Sequence, residues 1–355
     1  MNPIVLALNS GSSSLKFGLY RVGLVSLDVL HSGEAELKSI DDTQDALIGI
    51  AELLTKARMP VPTAIGHRVV HGGPQLRDHC LISDAVLGQL ETATAFAPLH
   101  IPPALSVIRF AREHFSGLPQ AACFDTAFHA AMPDVARTLP IARELRSQGI
   151  ERYGFHGLSC ESIVRQLGSD LPERLVIAHL GNGASITAVK AGKSIDTSMG
   201  LTPTGGVIMG TRSGDLDPGI LVYLAREKAF NPVMLEDLVD RRSGLLGISG
   251  VDSDMRRLRQ AASSNADARL AIEMFCISVR KQVAAMVAAM DGIDMIVFTG
   301  GIGENDAQAR AEICRGLSWI GIDLDEPWAR CRVLVLASQE DEQIARHTCE
   351  LTAGN

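Results

Sequence analysis

The sequence predicts an α/β protein made of two copies of one domain, and three features carry that expectation. At 355 residues the chain is too long for one typical core, so two domains are the default. The stretches VLALNSGSSSLKFGLY, from Val5, and VIAHLGNGASITAVKA, from Val176, share one pattern: apolar run, turn of small polar residues, apolar run. The match is of pattern rather than identity, and two such copies would set their turns facing each other across a cleft. Strand-like and helical stretches also alternate along the chain, as an α/β fold requires.

Each element follows from its local sequence. Residues 3–8 (PIVLAL) and 15–20 (LKFGLY) read as short strands joined by the Ser/Gly turn. A polar segment containing Ser39, Asp41, Asp42 and Thr43 follows. AIGHRVVHGG (64–73) reads as a strand ending in a glycine pair, and 84–96 and 103–115 as helices separated by APLHIPP. QAACFDTAFH (120–129) reads as a buried strand ending at Asp125. RLVIAHLGNGASITAVKAG (174–192) is strand, glycine turn, strand, followed by the glycine-rich 196–219. Residues 267–290 read as one helix, with Leu270, Met274, Ile277, Lys281, Ala284 and Ala288 at three- and four-residue steps; that stripe and the apolar residues around it imply deep burial. MIVFTGGIGEN (295–305) is strand, double glycine and helix start, a geometry that offers backbone N–H groups to an anion.

Composition excludes several function classes. Apolar residues make up 46% and charged residues 21%, as in an ordinary globular protein. The net charge of −8 argues against nucleic acid or an anionic membrane as partner, so an anionic ligand must be held by local cations. Seven cysteines, none in C-x-x-C spacing, read as reduced thiols of a cytoplasmic protein. No signal peptide is visible, and the most apolar long window, Ala271 to Phe298, is broken by Arg280, Lys281, Asp291 and Asp294.

Individual motifs leave two readings each. NSGSSSLKF (9–17) is either a plain hairpin turn or a phosphate cradle, with Lys16 as a mobile cation. In GHRVVHGG, His67 and His71 have no evident third metal ligand. Arg68, inside an apolar strand, needs a carboxylate partner, either an internal salt bridge or a ligand held by its fork. Asp125, at a strand end, is a catalytic group or a helix cap. His156 and His179 each adjoin glycine. Arg212 lies in GTRSGD, where the backbone can approach a ligand closely.

Taken together, NSGSSSLKF, GHRVVHGG, APLH, FDTAFH, RYGFHG, HLGNG, DTSMG, LTP, GTRSGDLDP, FTGGIGEN and the final IAR resemble the acetate kinase family, in that family's order over nearly the whole chain. The resemblance implies the actin/sugar-kinase/Hsp70 architecture: duplicated ribonuclease-H-like (actin-like ATPase) domains around a nucleotide cleft, one of residues 1–126 plus 340–355 and one of 127–339 with the nucleotide pocket and the dimer interface. The Asn9–Lys16 turn would then be the superfamily's phosphate hairpin.

The implied activity is reversible transfer of the ATP γ-phosphoryl to acetate, giving ADP and acetyl phosphate with Mg²⁺ (or Mn²⁺), in a cytoplasmic homodimer. Carried over by motif, Asn9 and Glu340 lie near the metal, and Ser12, Ser14 and Lys16 near phosphate. Arg68 holds the carboxylate, with Val70, Leu99, Phe155 and Pro203 around the acyl tail. His156, His179 and Arg212 surround the migrating phosphoryl group. Leu180, Gly181, Asn182 and Gly183 form the second phosphate turn. Asp254, Met255 and Arg256 face the nucleoside on one side, and Gly301, Ile302, Gly303, Glu304 and Asn305 on the other.

The chain also departs from the family. Ile101 stands where APLHNPP has Asn, and Leu158 and Cys160 where GFHGTSH has Thr and His. The stretch between Tyr20 and Gly66 and the helix after IAR are short, and SQEDE places Glu340 rather than Glu342 at the metal only through alignment to IAR. A substrate carboxylate, with a pKa of roughly 4, needs no base, so Asp125 is expected to position Mg²⁺ or its waters. The competing readings are a propionate or butyrate kinase and a non-catalytic nucleotide-dependent regulator on the same fold.

Overall fold

The computed structural model describes residues 2–11, 14–23, 26–36, 42–323 and 330–354. The chain folds into two compact units: Met1–Ala130 with Gly157–Ser162 and Gln339–Asn355, and Ala131–His156 with Ile163–Ser338.

The first unit contains a six-stranded mixed sheet. Its strands are β1 (Ile4–Ser10), β2 (Ser14–Val22), β3 (Leu27–Glu36), β4 (Ala64–Val69), β5 (Cys80–Leu81) and β6 (Gln120–Phe124), in the order β3-β2-β1-β4-β6-β5. β1–β2 and β2–β3 pair antiparallel, whereas β4 joins β1, and β6 joins β4, in parallel. Alternation along β1 builds two cores. Leu6 and Leu8 pack with Leu47, Ile50 and Val107 of the helices Asp42–Lys56 and Ile101–His114. Val5 and Ala7 cluster with Ile344 and Ala345 of the C-terminal helix Glu340–Ala353. That helix comes so close to β4 that a Cβ on Gly66 would lie 2.2 Å from Thr348 Oγ1.

The second unit repeats the plan. Its strands are β7 (Arg174–Leu180), β8 (Ala184–Lys190), β9 (Lys193–Thr197), β10 (Met295–Thr299) and β11 (Arg332–Val335), in the order β11-β10-β7-β8-β9. An antiparallel meander, β7-β8-β9, is extended in parallel by β10 and then β11. This is the β1-β2-β3-β4-β6 scheme over again. The turn bonds differ in span: Gly11 N–H donates to Ser14 O, three residues on, at 2.8 Å, and Gly181 N–H to Gly183 O, two residues on, at 2.9 Å. The expected duplication is therefore present in strand order and strand direction.

Two expectations are corrected. The strand expected over 64–73 ends at Val69. The long helix, Ala266–Ala289, buries Ala271, Ile272, Phe275, Val279 and Val283, while Leu270, Met274 and Ile277 are 47%, 38% and 45% exposed. Apolar residues surround this helix, so periodicity did not select its inward face. The departures Ile101, Leu158 and Cys160 are all fully buried, as core fillers. No helix among the described residues is long and apolar enough to cross a membrane, and all seven cysteines are free thiols.

Candidate active site

In the first unit, the chemistry gathers where β1, β4 and β6 end side by side. Arg68, near the end of β4, forks onto Asp125, which follows β6. Its Nη2 lies 2.6 Å from Oδ2, and its Nε lies 3.1 and 3.0 Å from the two carboxylate oxygens. Asp125 is buried, and Gly157 N–H donates to its carbonyl at 2.8 Å. Arg68 thus has the internal salt bridge that its apolar strand demands. Its Nη1 turns the other way, to Asn9 Oδ1 at 3.3 Å.

Asn9 relays the cluster to the C-terminal helix. Its Nδ2 donates to Asp341 Oδ1 at 2.7 Å and to Glu340 Oε2 at 3.4 Å. Across the hairpin Asn9 pairs in register with Lys16, whose side chain is exposed. Ser14 begins β2, and Ser12 lies outside the described residues. Burial pushes the Asp341 carboxyl up, opposed by Asn9 and reinforced by Glu340 beside it. Burial also pushes Asp125 up, against the pull of Arg68. Arg68 stays charged, because Asp125 and Glu340 outweigh its own burial. Three carboxylates around one arginine leave an excess of hard oxygen donors.

Sequence reasoning named Glu340 but missed Asp341, which makes the shorter bond to Asn9. The acidic run after Gln339 was its only signal. His67 and His71 do not form a metal pair. His67 Nε2 lies 2.7 Å from Gln120 Oε1, and His71 Nδ1 accepts from Gly73 N–H at 2.8 Å. Val70 is buried, and Leu99 is partly buried.

In the second unit, a second group converges on the β7–β8 turn. A Cβ on Gly183 would lie 3.2 Å from both Arg212 Nη1 and His156 Nε2, so the two side chains meet over a residue that has none. His156 adopts the left-handed conformation (φ 59°) just before the helix Gly157–Leu167, an uncommon position for a non-glycine residue. Its Nδ1 lies 3.0 Å from Ser185 Oγ, and its ring stacks on His179 at 4.2 Å between centroids. Arg212 Nη1 donates to Pro203 O at 3.2 Å. Asp215 instead accepts from Gly206 N–H, and Asp217 from Gly219 N–H. Phe155 and Pro203 are buried.

Beside that turn lies a cavity of about 780 Å³ lined by Gly181, Asn182, Asp254, Met255, Arg256, Gly301, Ile302 and Asn305, with Ser253, Arg259 and Asp306 completing it. The last three were not foreseen. Leu180 is buried at the end of β7. Gly303 is buried, and the Glu304 carboxylate turns back to accept from Gly300 N–H and Ser338 N–H, both at 3.0 Å. The anion expected at those N–H groups is thus supplied partly by the chain itself. Arg256 and Asp254 form an exposed ion pair at 2.6 Å on the cavity wall.

This architecture has close counterparts. The chain matches the Acetokinase family over residues 4–346. It is 39% identical over 396 residues to the acetate kinase of Heliobacterium modesticaldum, with 99% of this chain and 100% of that protein covered. Among solved structures, it is similar to the Porphyromonas gingivalis acetate kinase (TM-score 0.87, 32% identity, 99% of this chain and 100% of that one). It is also similar to a propionate kinase from Francisella tularensis (TM-score 0.89, 36% identity, 98% and 100%). With a match along nearly its whole length and a duplicated sheet beneath it, the chain belongs to the acetokinase family.

Proposed function

We propose that the chain is an acetate kinase, transferring the ATP γ-phosphoryl reversibly to acetate to give acetyl phosphate and ADP. The observation that carries this reading is the meeting of Arg212 and His156 over Gly183, beside a cavity of nucleoside size. Phosphoryl transfer calls for positioning and charge neutralisation more than for covalent chemistry. Arg212 supplies a planar fork for the equatorial oxygens of the moving group, and His156, held through Ser185, a second donor. The cavity takes the nucleoside, and Asn182 and Gly183 line the phosphate side.

In this account, Arg68 meets the substrate carboxylate. That carboxylate is already ionised near neutral pH, so no base is required, and Asp125 serves to aim the arginine. Asn9, Asp125, Glu340 and Asp341 suit Mg²⁺, which favours oxygen donors; the partly buried, mutually repelling Glu340–Asp341 pair supports this. When bound, Mg²⁺ would neutralise phosphate charge. Val70 and Leu99 of the first unit are apolar side chains suited to a short acyl tail. The similarity to a propionate kinase supports a second reading, in which propionate is a good substrate too.

A homodimer in the cytoplasm completes the proposal. The exposed Leu270, Met274 and Ile277, with Ile220, Val222 and Tyr223, give the second unit apolar surface suited to a partner copy. The test of function is ADP release measured with acetate, propionate and butyrate. Carboxylate-dependent release supports the reading, and nucleotide binding without release would favour a regulator.

A further inference from the structure

A second polar cluster in the first unit lies apart from Arg68. Glu161 Oε2 accepts from His347 Nε2 at 2.6 Å, and Glu161 Oε1 faces His79 Nε2 at 3.4 Å without a formed hydrogen bond. The two imidazoles are 4.0 Å apart between centroids. His347 Nδ1 faces Glu350 at 3.5 Å, and Asp78, Ala127 and Leu351 complete a cavity of about 370 Å³.

His79, Glu161 and His347 bring potential ligand atoms within 4.8 Å of one another. The hydrogen bonding opposes a metal site. His79 Nδ1 accepts from Phe124 N–H at 3.0 Å, so the neutral ring carries its proton on Nε2 and has no lone pair to offer there. The cluster is instead a histidine–carboxylate–histidine clamp. Burial opposes the charge on Glu161, but His347 and His79 hold its carboxyl at about 2.

The placement of this clamp gives it a task. His347 lies seven residues beyond Glu340 on the same helix, two turns along one face. His79 accepts from the N–H of Phe124, the last residue of β6 and the one before Asp125. His347 thus bonds the helix that carries Glu340 and Asp341 to Glu161, whose other oxygen faces His79 at 3.4 Å, on the side of the β6 end. We propose that Glu161 is a positioning residue for the acid pair Glu340–Asp341, fixing the C-terminal helix through His347 so that Asp341 meets Asn9. This rests on the reading of that acid pair as the Mg²⁺ site.

The test uses Glu161→Gln, which keeps the shape and removes the charge, with His347→Asn loosening the same contact from the helix side. Amide hydrogen exchange at residues 343–347 of the ligand-free protein, whose N–H groups are bonded within the first turns of the helix, reads helix opening without reference to activity. Faster exchange is expected in both variants, with the Mg²⁺ requirement raised roughly 10-fold, KM for nucleotide near wild type, and the double variant no worse than either single one. Unchanged exchange in the folded variants overturns the clamp. Glu340→Gln is run alongside. If its Mg²⁺ requirement is normal, the metal reading falls, and the exchange result still decides the clamp.

Discussion

Arg68 and Asp125 form a buried forked ion pair, with Nη2 2.6 Å from Oδ2, and the remaining guanidinium nitrogen faces Asn9. The arginine is therefore aimed before any substrate arrives. Arg68→Ala is expected to raise KM for the carboxylate strongly and to lower the melting temperature, because it leaves Asp125 buried and unpaired, at a cost of about 3–5 kcal/mol. Steady-state kinetics beside a melting curve checks both. A variant with normal KM would remove Arg68 from substrate binding.

Asp125→Asn keeps the shape of that pair and removes its charge. Activity should fall through a lower kcat or a weaker apparent Mg²⁺ affinity, since the nucleophile has no proton to lose. Recovery of the variant's rate by raising pH alone would contradict this.

Arg212→Ala should lower kcat far more than it raises either KM. Arginines acting on a transferring phosphoryl group contribute about 10³-fold or more. A contact made chiefly in the transition state appears in kcat. Arg212→Lys should rescue only partly, because the fork is lost. Were Arg212 only tying its loop, the Ala variant would lose melting temperature along with activity; Asp215 and Asp217 accept from the N–H groups of Gly206 and Gly219. Near-normal kcat in folded Arg212→Ala would exclude it from the mechanism.

Acyl-chain length should be read at Val70. Acetate is expected to give the highest kcat/KM, then propionate, with each methylene worth about 1–3 kcal/mol. Butyrate as the best substrate would show that Val70 does not limit acyl length.

His67 gives a pH signature separate from catalysis. Burial lowers its pKa from 6.5 to about 4, partly offset by Gln120. Between those values the unfolded chain binds a proton that the folded chain refuses. Stability is thus full above pH 6.5 and is lost as pH falls through about 4, by on the order of 3 kcal/mol. His347, raised by Glu161 against its own burial, runs the other way, contributing below its unfolded value and losing its share as pH rises. Melting temperature against pH should flatten over the acid window in His67→Gln, and an unchanged slope would refute the assignment.

The hairpins were legible in the sequence because strand, turn and strand are local and alternate in character. The parallel additions of β4 and β6 to one sheet, and of β10 and β11 to the other, join segments distant in sequence, and no local pattern encodes that pairing. Arg68 and Arg212 stood out because a charge among apolar or glycine neighbours needs a reason. Asp341 did not, since one acid in a run of acids looks like solvated surface until the helix turns it toward Asn9. Glu304 illustrates the converse: its motif suggested the ligand, whereas its carboxylate closes the N-terminus of its own short helix. Leu270, Met274 and Ile277 were misassigned because an apolar helix has no unique inward face by period alone.

The central claim is that a carboxylate oxygen receives the γ-phosphoryl group. Phosphorus NMR of the purified protein with ATP, Mg²⁺ and acetate tests it most directly. Acetyl phosphate and ADP should appear in equal amounts, and neither without acetate. ADP accompanied only by inorganic phosphate, at a rate indifferent to acetate, would contradict the account.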